Sequence, residues 1–159
     1  MANRPPDEAK LVPADAPVTA RYDQDFYAWA SEQARLIREE RWATIDRDNV
    51  AEEIESLGRE QYEKLESTLR VLLTHMLKWD VQQERRSRSW ALSIKAQRIR
   101  IERIIDQNPG LKPRLSEAAT HGYRLACIEA ALETGLEEEK FRADLPYSWN
   151  DIMARDFWM

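Results

Sequence analysis

Several things are scarce in this chain, and each scarcity excludes something. Among 159 residues there is one cysteine, Cys127, so no disulfide pair and no CxxC half-site for zinc exist. Four glycines, none in a GxGxxG or P-loop arrangement, exclude the glycine-rich phosphate cradles. Two histidines, His75 and His121, are too few for a three-histidine metal site. No Glu-x-x-His pair of the di-iron bundle type occurs either. No window approaches the roughly 18 consecutive apolar residues of a membrane helix. The first twenty residues hold Pro5, Pro6, Pro13 and Pro17 and no apolar h-region, so no signal peptide is expected. The reading that follows is a cytoplasmic protein with no membrane contact and no cofactor.

What is plentiful is charge and helical periodicity. Charged residues make up 33% of the chain, with a formal net charge of −5. Residues 1–20 read as a disordered arm, because proline, alanine and charge offer nothing periodic to bury. Residues 21–159 read as a single helical domain. Phe26, Trp29, Ala30, Gln33 and Ile37 follow helical spacing, with Asp23 or Asp25 as N-cap. Asp46 caps a second, long helix with Val50, Ile54, Leu57, Leu65, Leu72, Met76 and Trp79 along one stripe. Gly58 is its one internal weak point. A third helix over residues 87–106 turns Trp90, Ile94, Gln97, Ile101 and Ile104 inward and stops at Asn108-Pro109-Gly110. A fourth carries Leu115, Ala118, Gly122, Leu125, Ile128 and Leu132 up to Gly135. Ser148 starts a last short helix in an otherwise irregular tail. The fold expected is all-α, a four-helix up-down bundle with that tail appended. Trp29, Leu57, Leu72, Trp90, Ile94 and Leu125 are the expected core.

Certain runs of residues look familiar as a set. Tyr22-Asp23-Gln24-Asp25-Phe26-Tyr27-Ala28-Trp29 and Ala51-Glu52-Glu53-Ile54-Glu55-Ser56-Leu57-Gly58 resemble a bacterial family known as domain of unknown function twenty-nine. Leu77-Lys78-Trp79, Arg86-Ser87-Arg88-Ser89-Trp90, Gln97-Arg98 and Glu133-Thr134-Gly135-Leu136 extend the resemblance over nearly all of the chain from Tyr22. Two places depart from it, Leu145 where members often carry cysteine and Arg142 where they often carry proline. The resemblance implies a small all-helical domain and brings no activity or catalytic residues with it.

Three functional readings compete. Asp46 and Glu53 lie one side of the second helix, and with His75 they form the candidate set for a metal-dependent enzyme. The helix dipole favours such acids at an N-terminus without any metal. Glu53 borders the apolar stripe, and a half-buried carboxylate needs a partner. Residues 84–106 supply one in prospect, with seven basic against three acidic side chains. Residues 46–80 carry nine acids and five bases. The simplest consequence is pairing, with Arg86, Arg88 or Arg98 on a carboxylate of the second helix or the tail. The sharper one is nucleic-acid binding through Arg85, Arg86, Arg88, Arg98 and Arg103, although these residues surround the helix instead of forming one stripe. Asp46, Glu53, His75, Arg86 and Arg98 are therefore the candidate polar cluster.

The third reading, and the favoured one, is a non-enzymatic protein–protein interaction module that acts as a homo-oligomer or with a protein partner. Its mark is a misfit: Leu92 and Ile99 point away from the inner face of the third helix, among Arg88, Lys95 and Arg103. An aligned apolar pair implies a cover, either the tail, with Trp149, Ile152, Phe157 and Trp158, or a second copy.

Overall fold

The structure is a computed structural model, and it describes residues 22–158. The arm expected over residues 1–20 lies outside the described residues. The described chain is all-helical: α1 spans Phe26–Arg38, α2 Arg47–Val81, α3 Arg88–Gln107, α4 Leu115–Thr134 and α5 Trp149–Ala154, with 3-10 turns between them. No strand occurs among the described residues. The described chain falls into two compact units divided between Glu55 and Ser56, within α2.

The first unit holds α1 and the start of α2. Asp25 caps α1 by accepting from the backbone N–H of Ala28 at 2.9 Å. Trp29, Gln33 and Leu36, spaced three and four apart, are its buried face. After α1 the chain turns through Glu40, held at φ 56°. Asp46 precedes α2 and makes three hydrogen bonds in this unit: its backbone N–H donates to Gln33 Oε1, while its carboxylate accepts from Trp29 Nε1 at 3.2 Å and Asn49 Nδ2 at 2.8 Å.

The second unit contains the hydrophobic core. Leu65, Leu69, Leu72, Leu73 and Met76 of α2 meet Ile94, Ile101 and Ile104 of α3 and the small face of α4, with Phe141 and Ile152 closing the cluster. α2 runs without a break past Gly58, whose replacement by a larger residue would meet open space. On α4 the buried residues are Ala118, Ala119, Gly122, Tyr123, Ala126, Cys127 and Ala130. A Cβ on Gly122 would lie 3.0 Å from the Glu66 carbonyl oxygen and 3.1 Å from the Arg70 nitrogen. The two helix backbones are thus in contact there, which only small residues permit. This corrects two expected core positions: Leu125 is exposed because it lies off the face of α4 that Gly122, Tyr123, Ala126 and Ala130 turn to the core, and Leu57 is exposed because burial on α2 begins only at Leu65. Trp29, Leu72 and Ile94 are buried as expected, and Trp90 is half-buried. Gly135 ends α4 in the left-handed conformation, φ 71°.

Candidate interaction face on α3

α3 begins where Ser87 accepts from the Trp90 N–H, a side-chain cap that frees the first turn from its unpaired donor. The preceding Arg86 lies back over Trp79, with Nε donating to the Trp79 carbonyl at 2.9 Å and the guanidinium 5.2 Å from the ring centre. One helix further in, Lys78 is buried, pairs with Glu133 and places its ammonium 4.6 Å from the Trp90 ring centre.

The tail is fixed to this end of α3 by polar groups as well as by Ile152. Ser148 and Asp151 cap α5 reciprocally. Arg98 then donates from Nε to the Ile152 carbonyl at 2.7 Å and from Nη2 to the Asp151 carbonyl at 3.2 Å. Burial pushes the Arg98 pKa down, with Asp156 opposing that shift. Asp80, near the end of α2, accepts from Tyr147 Oη at 2.8 Å and from Arg155 Nη1 at 2.9 Å. Burial, then the negative charge of Asp80, drives the Tyr147 pKa upward. Phe157 closes edge-on against Trp79 at 5.5 Å, with the guanidinium groups of Arg98 and Arg155 near its ring.

Beside this latch lies a groove of about 400 Å³ lined by Leu92, Lys95, Arg98, Asp156, Phe157 and Trp158, among others. The tail forms its wall without burying the apolar pair: Leu92 is 52% exposed and Ile99 57%, and Trp158 stands 79% exposed at the edge. Arg88, Lys95 and Arg103 are exposed around them. The tail is therefore not the cover for Leu92 and Ile99.

The candidate polar cluster is distributed over different local tasks. Glu53 finds its partner in Tyr22, whose hydroxyl donates to Oε1 at 2.6 Å, and not in an arginine. That hydrogen bond pushes the Tyr22 pKa up to about 12. Tyr22 also packs edge-on against Trp29 at 4.7 Å, so Asp46 and Glu53 are both held by aromatics of the N-terminal segment. His75 is bound to its own helix, Nδ1 lying 3.0 Å from the Val71 carbonyl. Arg86 and Arg98 serve backbone carbonyls. Among the described residues no ion pair joins Arg86, Arg88 or Arg98 to a carboxylate, which corrects the expected direction of pairing. α2 supplies the cations instead, Arg70 to Glu129 and Lys78 to Glu133 on α4, while its Asp80 receives Arg155 from the tail. No group of three or more His, Cys, Asp and Glu suited to a metal ion occurs among the described residues.

A family model described as "Domain of unknown function DUF29" matches residues 21–158. The chain belongs to the DUF29 family. Among curated proteins and among solved structures, nothing matches it.

The residues that carried the resemblance have structural tasks in this DUF29 chain. Arg86, Ser87 and Trp90 shape the entry to α3, and Lys78 and Glu133 tie α2 to α4. Gly135 supplies the left-handed turn after α4, and Arg98 holds α5. Sequence reasoning missed Asp80, Tyr147, Arg155 and Tyr22, all engaged in contacts across 31 to 75 residues. No local pattern announces such pairs. The Ser148/Asp151 capping box was the one readable sign that this part of the tail is ordered.

Proposed function

We propose that this DUF29 chain is a non-enzymatic protein–protein interaction module of the cytoplasm, acting through the outer face of α3. The observation that carries the reading is the half-exposed pair Leu92 and Ile99, two turns apart on a helix whose opposite face is packed in the core. A buried, unpaired Cys127 suits a reducing compartment. The nucleic-acid alternative draws on Arg85, Arg86, Arg88, Arg98 and Arg103, but Arg86 and Arg98 already serve carbonyl groups of this chain. A photocrosslinking side chain at position 99, introduced in the native cell, should give a discrete protein adduct that Leu92→Glu abolishes. No adduct, or one with nucleic acid, would overturn the reading.

A second reading, self-association, is favoured by α4. Leu125, Ile128 and Leu132 are exposed at spacings of three and four, the pattern of a helix–helix seam.

A further inference from the structure

The apolar pair on α3 is framed by cations, and the frame indicates what fits it. Building on α3 as a protein-docking face, we propose that its occupant is an acidic amphipathic helix of another protein. Leu92 and Ile99 are separated by about 10 Å along the axis at 1.5 Å per residue. A partner helix presents apolar residues on one face at the same interval, seven residues apart. An extended peptide covers that distance in about three residues, and alternation sends side chains three apart to opposite faces. Spacing therefore selects a helix.

Charge selects its flanks. Arg88, Lys95 and Arg103 share the outer face with the two aliphatic side chains, and Glu102 and Asp106 stand nearer its C-terminal end; all five are exposed, so the part of the face around Leu92 is cationic. A second copy offering the same face in a two-fold antiparallel arrangement would set Leu92 against Ile99, but also Arg88 against Arg103, cation facing cation. A nucleic-acid strand would bring phosphates onto two aliphatic side chains that offer no donor. Glutamate or aspartate beside an apolar seam meets both demands, because the seam covers Leu92 and Ile99 while the acids reach the three cations. The groove beside Leu92, with Phe157 and Trp158 on its wall, adds an aromatic edge for a large apolar side chain of the partner.

The test uses the full chain and three labelled helical peptides with one identical leucine seam, flanked throughout by Glu, by Gln or by Lys. Fluorescence anisotropy should show the Glu peptide binding at least about tenfold tighter than the Gln peptide, with the advantage shrinking as salt rises. The Lys peptide should bind weakest. Changing Leu92 and Ile99 together to Ser should abolish binding of all three, and changing Arg88 and Lys95 to Gln should remove only the preference for Glu. Circular dichroism on each variant separates lost binding from lost fold. Equal affinity for Glu and Gln peptides at a Leu92-dependent site would overturn the acidic partner while leaving the docking face. No binding by any peptide, or binding indifferent to Leu92 and Ile99, would overturn both. A single-stranded oligonucleotide that binds more tightly than the Glu peptide and is lost with Arg88 and Lys95 would replace the proposal with the nucleic-acid reading.

Discussion

Gly122 and Tyr22 show how much rests on single positions. Alanine at position 122 gains helix propensity of about 1 kcal/mol over glycine. Its Cβ, however, would come within 3.0 Å of the Glu66 carbonyl and 3.1 Å of the Arg70 nitrogen, both backbone atoms of a packed helix. Backbone cannot swing aside as a side chain can, so overpacking wins, and Gly122→Ala should lower stability by about 1–3 kcal/mol. Gly58→Ala meets nothing within 4 Å and should be neutral or stabilising. Denaturant melts of the two variants provide the comparison; equal stability of both would refute the close approach of α4 to α2. Tyr22 makes a statement about pH. Its hydrogen bond to Glu53 raises the folded pKa from 10.0 to about 12, so the folded form holds the phenolic proton more firmly than the unfolded form. The stabilisation is whole below pH 10 and is lost as pH climbs toward 12. Difference absorbance of the phenolate should show a transition near pH 12 that Tyr22→Phe removes. A Tyr22 that ionises at the ordinary value would break the pairing with Glu53.

At the scale of the element, the helices were legible and their faces only partly so. Periodicity, Asp46 before α2, Ser87 before α3, Asn108-Pro109 after it and Gly135 after α4 marked boundaries that the structure reproduces closely. α3 was read correctly, since Ile94, Gln97, Ile101 and Ile104 are its buried side. α4 was read in part: Ala118 and Gly122 of its expected stripe are buried, while Leu125, Ile128 and Leu132 are exposed. The buried side instead runs through Tyr123, Ala126, Cys127 and Ala130, centred on the close approach of Gly122 to the α2 backbone, a contact that hydrophobic periodicity does not report. The candidate polar cluster dissolved for a related reason, as Glu53 and Asp46 take hydrogen bonds from Tyr22 and Trp29, which only the folded chain brings near. The exposed stripe of α4 has its own test. Ile128→Glu should change monomer stability by no more than about 0.5 kcal/mol, as for an exposed site without partners. If α4 joins two copies, the same change should convert dimer to monomer in sedimentation. A wild-type chain that stays monomeric at high concentration would remove self-association through α4.

For the whole molecule, what matters most is where the core lies. Every member of the main hydrophobic cluster, from Leu65 to Ile152, belongs to the unit that begins at Ser56. The ion pairs of Arg70 with Glu129, Lys78 with Glu133 and Arg155 with Asp80 lie in it as well. So do the closing contacts of the tail, Tyr147 on Asp80 and Phe157 on Trp79. The unit ending at Glu55 buries only Trp29, Gln33 and Leu36 among its own described residues. Its local order depends on hydrogen bonds to Asp46 and Glu53 and on three aromatic rings. Chains below about 40 residues seldom bury enough surface to fold unaided, whereas about 100 residues around one core suffice. A chain starting at Ser56 should therefore remain helical and melt cooperatively, while a fragment of residues 22–55 should show little helix in isolation, measured by far-ultraviolet circular dichroism. Within the longer fragment, Asp80→Ala removes the acceptor of both Tyr147 and Arg155 and should cost about 2 kcal/mol, the range for hydrogen bonds to a charged group. A fragment from Ser56 that is unfolded would show that α1 and the start of α2 are required by the core; an Asp80→Ala fragment as stable as its parent would show that Arg98, Ile152 and Phe157 hold the tail without Asp80.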